Sequence, residues 1–420
     1  MAATVNGESQ EASPMVSDWR NLIPATGLKE YWHPAVRDKD VKANKPQFLK
    51  MLGEDICLFR GKSGNVAALA NSCPHRGAKL CAGDIMFKGF VTCHYHAWTW
   101  DENGECVAIL SEGPESPHVG RVHARVYPTA TLKGVVFVWM GKGEPVPLEQ
   151  SIPEEFFEED TLVFNWPTVW PCNWRPGLEN VADSHFRYVH RNSALCLMRP
   201  IAPPSPGGAR AQIMNKHRLR PPAAVAGDRD AADRPYQDYY PGVDAKWPKT
   251  KYRMLWTWIF DWSFKRKWRK PFKVSEEWGG GSHLPGFVRL NYGTHMYTRW
   301  AVPIDENNTR FFYFHSARPE TKLGKLYEWA HWNLFHNWAM NRNFSEQDRK
   351  GALEAYWPAP EHLSLTDAQT IMWRRMLLTA RGVRPEREGD TSIAAARAEV
   401  AAAEEAHAKA TDALGTVSWR

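Results

Sequence analysis

Two short segments of the sequence each pair a cysteine with a histidine. Cys73 and His75 lie in CPHRG, and after seventeen intervening residues Cys93 and His96 lie in CHYHAWTW. Two thiolates and two imidazoles can bind zinc, or a two-iron cluster in which one iron takes both thiolates and the other both imidazoles. Zinc sites usually place two cysteines together and two histidines together. The mixed pairs therefore favour the two-iron cluster.

A second group of metal-binding residues follows in GLENVADSHFRYVHRNS, residues 177–193, which contains Asp183, His185 and His190. Two histidines and a later carboxylate around an open site are the ligands of mononuclear non-haem Fe(II) enzymes. A single histidine is more often a surface or hydrogen-bonded residue, but this group follows a first metal motif. Downstream, NRNFSEQDRKGALEAY offers Glu346 and Asp348 as the carboxylate, and the alternative for either is a solvated position on a helix.

The first motif, with its flanks CPHRG and CHYHAWTWDENGEC, resembles the cluster-binding loops of Rieske-type oxygenases. Cys81 does not lie where respiratory-chain Rieske proteins place their loop disulfide, which favours the oxygenase branch. The second motif resembles the catalytic domain of the same family, in which Asn-x-x-Asp precedes two histidines. Here one residue separates Asp183 from His185, where the family usually has two. On a helix that difference turns a side chain by about 100°.

The resemblance implies an α+β fold, with an N-terminal all-β Rieske [2Fe-2S] domain followed by a helix-grip catalytic domain of antiparallel sheet plus helices. It implies one [2Fe-2S] cluster, held by Cys73, His75, Cys93 and His96, and one Fe(II) per subunit, held by His185, His190 and Asp348, with Glu346 as the alternative carboxylate. It also implies a homotrimer, in which electrons pass from His96 of one subunit through Asp183 to His185 of its neighbour.

The activity implied is that of a terminal oxygenase component. Such a component uses O₂ and electrons from a ferredoxin or reductase to hydroxylate, dihydroxylate or O-demethylate an aromatic or other flat hydrophobic substrate. The 21 tryptophans agree with flat apolar pocket walls. The chain shows no glycine pattern typical of NAD or flavin binding, so a partner must supply the electrons. The alternatives are a Rieske electron-transfer protein or redox sensor without oxygenase activity, and a zinc-stabilised binding module.

The pattern of elements predicts the domain boundaries. Residues 1–24 form a disordered lead-in, 25–150 the Rieske domain, 155–385 the catalytic domain and 386–420 an Ala/Glu-rich tail. A hairpin is expected within 286–317 around the turn DENN, a helix over about 319–353, and another that opens with Ser364 and Asp367 in capping-box spacing and closes near Gly382. Gly77 and Gly83 should permit tight turns at the cluster, which Trp98 should shield from water.

A loop or lid insertion is predicted at about 200–285, and it contains the one strongly basic segment of the chain. The net charge is +6, but ten Lys or Arg against Asp261 alone place +9 between Lys246 and Lys273, which leaves −3 for the rest. This basic aromatic segment could line the substrate channel, dock an acidic ferredoxin or reductase, or contact a membrane surface or nucleic acid. Nucleic-acid binding is disfavoured because such proteins do not normally carry two redox metal sites.

The sequence also indicates the compartment. It contains no apolar run of the roughly 18 residues that span a bilayer, and its polar N-terminus lacks the apolar region of a signal peptide. Seven cysteines at irregular spacing do not form a disulfide framework and fit a reducing compartment. We therefore expect a cytoplasmic protein.

Overall fold

The computed structural model describes residues 23–182, 189–194, 212–215, 218–220, 271–354 and 367–383. Its first part contains ten strands in three antiparallel sheets, ordered β1-β10-β9, β2-β3-β4-β8 and β5-β6-β7. Their bounds are β1 Trp32–Arg37, β2 Gln47–Met51, β3 Glu54–Arg60, β4 Val66–Ala70, β5 Val91–Thr92, β6 Trp98–Trp100, β7 Cys106–Ile109, β8 Val126–Tyr127, β9 Thr129–Leu132 and β10 Val135–Trp139.

Strand β10 shows why these residues form sheet. Its sequence VVFVW is fully buried and pairs with β1 on one side and β9 on the other. β-branched and aromatic residues suit such a two-sided central position. The turn from β9 into β10 consists of Lys133 and Gly134, both at positive φ (48° and 73°), as a two-residue hairpin turn of right-handed twist requires.

The second part is built on a seven-stranded antiparallel sheet with the order β11-β17-β16-β15-β14-β13-β12. The bounds are β11 Leu162–Trp170, β12 Gln212–Asn215, β13 Arg218–Arg220, β14 Gly281–His283, β15 Phe287–Asn291, β16 His295–Pro303 and β17 Thr309–Ala317. The expected hairpin is confirmed: β16 and β17 pair along their whole length around residues 305–308. The segment before that turn is itself two strands, because Gly293 (φ +85°) reverses the chain between β15 and β16.

The helices are α1 Trp174–Ala182, α2 Lys322–His331, a π-helix Trp332–Phe344, α3 Ser345–Glu354 and α4 Ala368–Leu378. The expected helix over 319–353 is confirmed, and it begins where the Thr321 hydroxyl accepts a hydrogen bond from the Gly324 amide at 3.0 Å. Its central π-helical segment was not predicted. Asp367 precedes α4 but makes no side-chain capping bond in the described first turn, and Ser364 lies outside the described residues.

The large sheet has two buried faces, as the alternation along its strands requires. Tyr297 and Tyr313 face the helices. Trp300 and Phe312 face the first part of the chain and join Phe137 in one apolar cluster, which we call the shared core. The rings of Trp300 and Phe137 lie 5.9 Å apart. The all-β first part and the sheet-and-helix second part confirm the predicted α+β fold.

The described residues also bear on the expected linker and insertion. Sheet pairing changes between Trp139 and Leu162, and Glu155 within this stretch is buried and ion-paired with Arg289 of β15 at 2.5 Å. The described parts of the 200–285 insertion include the strands β12, β13 and β14. Most of the basic aromatic segment, the lead-in up to residue 22 and the tail lie outside the described residues, and the domain bounds stay a prediction. Among the described helices, none has the length and apolar character needed to cross a bilayer.

Candidate metal centres

Cys73 and His75 lie on the loop that leads into β5. Cys93 and His96 lie on the loop that joins β5 to β6. Cys73 and Cys93 are buried at 2% and 3% exposure, whereas His75 is exposed and His96 half-buried. The two imidazole rings lie 4.5 Å apart, edge to face. The thiols therefore lie on the inside and the imidazoles on the rim, which is the polarity expected of a two-iron cluster with one Cys-bound and one His-bound iron.

The two loops repeat one hydrogen-bond pattern at an offset of twenty residues. The amide of Cys73 donates to the carbonyl of Ala78 (2.7 Å), and that of Cys93 donates to Trp98 (2.8 Å). The residue four positions after each cysteine donates back to the cysteine carbonyl, at 2.8 Å for Gly77 and 3.0 Å for Ala97. Both of these residues have positive φ, 76° and 56°. Each loop is thus closed on itself by backbone bonds before any ligand is added.

The two glycines singled out from the sequence have different roles. Gly77 has left-handed backbone, and a Cβ there would meet only Ser72 Oγ, at 3.9 Å. Gly83 has an ordinary φ of −84°, but a Cβ there would lie 2.1 Å from the Thr92 carbonyl oxygen. Gly77 thus permits a turn as expected, whereas Gly83 permits a close approach of two backbones.

The surroundings of the four residues fit the cluster. Burial raises the pKa of the Cys73 thiol to about 11, with Cys93 adding to the effect, so a metal must displace its proton to make it a ligand at neutral pH. The Trp98 ring stacks on His75 at 4.7 Å and so covers one face of this imidazole, as expected of a residue that shields the cluster. Arg76 and Tyr95 are exposed beside the imidazoles, with the Arg76 guanidinium 5.9 Å from the Tyr95 ring centroid.

The second centre joins two parts of the chain that lie far apart in sequence. His190 and Asp348 are buried at 2% and 5% exposure, and Nε2 of His190 lies 2.9 Å from Oδ1 of Asp348. His190 follows α1, whereas Asp348 lies in the first turn of α3. The Phe344 ring stacks on His190 at 3.5 Å and fixes the plane of the imidazole. An imidazole nitrogen and a carboxylate oxygen facing each other in a buried site fit two ligands of a non-haem iron.

Gln347 holds the other nitrogen of this imidazole. Its Oε1 lies 3.1 Å from Nδ1 of His190. When a metal binds Nε2, the neutral imidazole carries its proton on Nδ1. The Gln347 oxygen can accept a hydrogen bond from that N–H. The opposite orientation of the same amide donates to Nδ1 and to the Val189 carbonyl at 3.2 Å, so Gln347 can serve either protonation state of the ring.

Arg299 of β16 holds the other oxygen of the carboxylate. Its Nη1 donates to Oδ2 of Asp348 at 3.1 Å, and its Nη2 to the Gly177 carbonyl at 2.9 Å. The guanidinium lies over the rings of Trp170 and Phe311, at 4.2 and 4.7 Å from their centroids. Because Oδ2 is engaged, Asp348 presents a single oxygen toward His190. Sequence reasoning missed Arg299, although a cation within the apolar strand HMYTRWAVP is a signal.

The remaining candidates have other surroundings. Asp183 and His185 lie outside the described residues. Glu179 of α1 forms a buried two-bond ion pair with Arg374 of α4, at 2.7 and 2.6 Å, and so ties the two helices together. Glu346 is 42% exposed and pairs with Arg349 on its own helix. Of the two carboxylates proposed as third ligand, the buried one beside His190 is Asp348.

Comparisons with known proteins agree with this arrangement. Residues 31–128 match the Rieske [2Fe-2S] domain family, and residues 139–214 match the family of homotrimeric ring hydroxylases. The terminal oxygenase component of carbazole 1,9a-dioxygenase from Metapseudomonas resinovorans is 34% identical over 203 residues, 47% of this chain and 52% of that protein. The 5,5'-dehydrodivanillate O-demethylase oxygenase subunit of Sphingobium sp. (strain NBRC 103272 / SYK-6) is 30% identical over 177 residues, 39% of either chain.

These matches cover about half the length of the curated relatives or less. A solved complex of oxygenase and ferredoxin in carbazole 1,9a-dioxygenase has an oxygenase fold like that of this chain. Its TM-score is 0.65 at 24% identity, and the match covers 88% of this chain and 94% of that one. The fold is therefore shared well beyond the segments whose sequences align.

The fold and the first motif define a Rieske iron–sulfur protein of the [2Fe-2S] type with a sheet-and-helix domain added to it. Residues 31–128 match the Rieske [2Fe-2S] domain family, and the chain as a whole is similar to Rieske-type ring-hydroxylating oxygenases.

Proposed function

We propose that this protein is the terminal oxygenase component of a multicomponent Rieske non-haem iron system. It uses O₂ and electrons from a ferredoxin or reductase to hydroxylate, dihydroxylate or O-demethylate an aromatic or other flat hydrophobic substrate. The observation that carries this proposal is the buried pair His190–Asp348, at 2.9 Å, in a chain that also holds a Rieske motif. An electron carrier needs only the first centre, so the second argues against the carrier or sensor alternative.

His185, His190 and Asp348 are the proposed ligands of one Fe(II) per subunit, which when bound supplies the site for activating O₂. The chain's own part is to hold the ligands in a dry setting. Phe344 fixes the imidazole of His190, Gln347 hydrogen-bonds its Nδ1, and Arg299 turns one oxygen of Asp348 away. Three protein ligands leave open positions for O₂ beside the substrate.

We infer that electrons leave the cluster through His96 and reach the iron of a neighbouring subunit in a homotrimer, with Asp183 between His96 and the neighbour's His185. The outward position of His75 and His96 supports an intermolecular route, because these imidazoles are the cluster ligands that a second molecule can approach. The relation of this chain to homotrimeric ring hydroxylases supports the trimer.

A ferredoxin is the electron donor that the comparisons favour, since the similar carbazole oxygenase has been solved in complex with one. Arg76, Lys79 and Lys88 are exposed around the cluster loops and give this rim a positive charge. Acidic electron carriers associate faster with such a rim. We place the protein in the cytoplasm, supported by the free thiols of all six cysteines among the described residues.

The substrate class rests on the relatives and on aromatic side chains near the second centre. Trp170 and Phe311 flank Arg299, and Trp166 stacks on Tyr313 at 5.7 Å on the same face of the sheet. These buried and partly buried rings make the surroundings of the second centre apolar, which suits a flat apolar substrate. The relatives include a carbazole dioxygenase and an O-demethylase, so the reaction is proposed only as far as oxygenation of such a molecule.

Metal analysis combined with turnover tests the proposal. The purified protein should be reddish-brown, and we expect three irons and two inorganic sulfides per chain. With a surrogate ferredoxin and reductase, Asp348→Asn should keep the colour while losing the third iron and product formation. Glu346→Gln is the matched control and should keep both. A colourless zinc protein, or an Asp348→Asn variant that still oxygenates carbazole or a methoxybenzoate, would contradict the proposal.

A further inference from the structure

Three buried histidines that the proposed oxygenase reaction does not use meet on the helix side of the large sheet. His295 begins β16, His315 lies near the end of β17, and His336 lies in the π-helix; each has 0% exposure. One ring nitrogen of each lies within 4.8 Å of those of the other two. We call this cluster the histidine triad.

The topology brings the triad together by sheet register and helix packing. His295 pairs with Ala317 and Tyr297 pairs with His315, so the two histidines are diagonal neighbours on one face. Their rings lie 4.7 Å apart. His336 descends onto them from the helix, with its ring 4.3 Å from that of His315 and 5.7 Å from that of His295. π-Helical segments are rare, and they occur frequently at functional sites.

The triad is separate from the His190–Asp348 centre. His295 and Arg299 lie four residues apart on the same face of β16, a separation of about 13 Å along a strand. Arg299 contacts Asp348, whereas His295 contacts the triad. One strand thus contributes His295, its first residue, to the triad and Arg299, its central residue, to the His190–Asp348 centre.

Two neighbouring side chains contact the triad. The buried carboxylate of Glu328 in α2 has Oε2 3.7 Å from Nε2 of His315. The Thr294 hydroxyl lies 3.3 Å from Nδ1 of His295 and, by holding that nitrogen, leaves Nε2 to face the other imidazoles. Three imidazoles with one carboxylate carry a single negative charge when the rings are neutral. A divalent cation would change this buried charge from −1 to +1.

We propose that His295, His315 and His336 bind one divalent transition ion, best fitted by Zn²⁺, and that the Glu328 carboxylate lies beside this site next to His315. Zinc binds imidazole nitrogens at about 2.0–2.1 Å in tetrahedral sites, which places neighbouring nitrogens about 3.4 Å apart. The three nitrogens lie within 4.8 Å of one another, so an ion requires them to approach by about 1.4 Å at most. Three imidazoles leave the fourth position of the tetrahedron on the side of a further group such as water or the nearby carboxylate.

Such an ion would fasten the helices to the sheet. Two of its ligands come from β16 and β17 and one from the π-helix, which follows directly on α2. This continuous helical segment carries Asp348 at its far end, in α3. The ion would therefore fix the axial position of the helix that presents the proposed iron carboxylate. This role lies beyond the oxygenase reaction and does not depend on it.

The test counts metals in the purified holoprotein without measuring turnover. Mass spectrometry of all first-row transition ions should find one ion per chain beyond the three irons expected. His315→Gln and His336→Gln should lose this ion and keep the absorption of the [2Fe-2S] cluster. His283→Gln is the matched control: His283 is equally buried in the same sheet but bonds the Gly279 carbonyl, and its variant should keep the ion.

A second measurement applies even if the variants do not fold. Zinc added to wild-type holoprotein stripped by a mild chelator should raise the midpoint of thermal unfolding by roughly 3 °C at 100 times the dissociation constant. The X-ray absorption of the bound zinc should show imidazole nitrogens and an oxygen. Wild-type protein without a further ion and without a zinc-dependent shift would overturn the proposal. So would a zinc site with sulfur ligands, or an extra ion that survives both variants.

Discussion

Replacing Arg299 by Met tests whether this arginine supports iron binding at the second centre as well as the stability of the fold. The substitution keeps an unbranched apolar side chain of similar length against Trp170 and Phe311, but it removes the charge that pairs with Asp348. Both partners of this pair are nearly fully buried, at 1% and 7% side-chain exposure. Loss of one partner from such a pair typically lowers the free energy of unfolding by about 3–5 kcal/mol, because the other charge stays buried without compensation.

Iron binding should weaken as well, because Arg299 holds the carboxylate of a proposed ligand. Loss of such an outer partner typically lowers metal affinity about 10- to 100-fold. The assay has two readouts on one sample: retention of the third iron against a competing chelator, normalised to the [2Fe-2S] absorption, and the midpoint of denaturant unfolding. Arg299→Met should lose iron at a 10- to 100-fold lower chelator concentration while its cluster absorption stays at the wild-type level.

Arg289→Met is the control that makes this result decisive. Arg289 is an equally buried arginine on the neighbouring strand, and it pairs with Glu155 rather than with Asp348. The free energy of unfolding of Arg289→Met should fall by a comparable amount, about 3–5 kcal/mol, while its iron affinity should stay at the wild-type level. Wild-type iron retention in Arg299→Met would refute the reasoning, and so would equal iron loss in both variants, since the effect would then follow from lower stability alone.

Substitutions at three further places test other features. Gly83→Ala should abolish the reddish-brown colour because its Cβ would lie 2.1 Å from the Thr92 carbonyl, whereas Gly77→Ala should keep the colour at a cost of about 1 kcal/mol. Burial lowers the pKa of His33 to about 4 from an unfolded value of 6.5, so the unfolded chain binds the extra proton first. The free energy of unfolding should thus fall by about 1.4 kcal/mol per pH unit between pH 6.5 and 4, and His33→Gln should remove that slope in pH-dependent denaturation. Glu179→Gln should cost about 3–5 kcal/mol by breaking the buried pair with Arg374, whereas Glu346→Gln in an exposed pair should change the denaturation midpoint little.

The sequence was most informative where the chemistry is local. The cluster loops are short and closed by their own backbone bonds, so the spacing of Cys73, His75, Cys93 and His96 was enough to predict which residues face each other. The hairpin of β16 and β17 and the long helix that follows were predictable for the same reason, since alternation and helical periodicity act over neighbouring residues.

Contacts between distant segments were not predictable. Glu346 and Asp348 lie two residues apart on one helix, which turns their side chains about 200° from each other. Spacing alone could not tell which side faces His190, and packing of α3 against the sheet decides it. Arg299 and the histidine triad depend on strand register and on a π-helix, for which the sequence carries no periodic signal. The roles of Asp183 and His185 stay predictions.

The shared core means that the cluster-bearing part of this chain is not an exchangeable module. Excision of residues up to about 150 would expose to water the apolar side of Phe137 and its neighbours, which now pack on Trp300, Phe312 and Phe314. An exposed patch of that kind favours aggregation over a soluble electron carrier. Chimaeras that exchange Rieske domains between relatives should therefore transfer both surfaces of this interface, or else be selected for repacking before their electron transfer is compared.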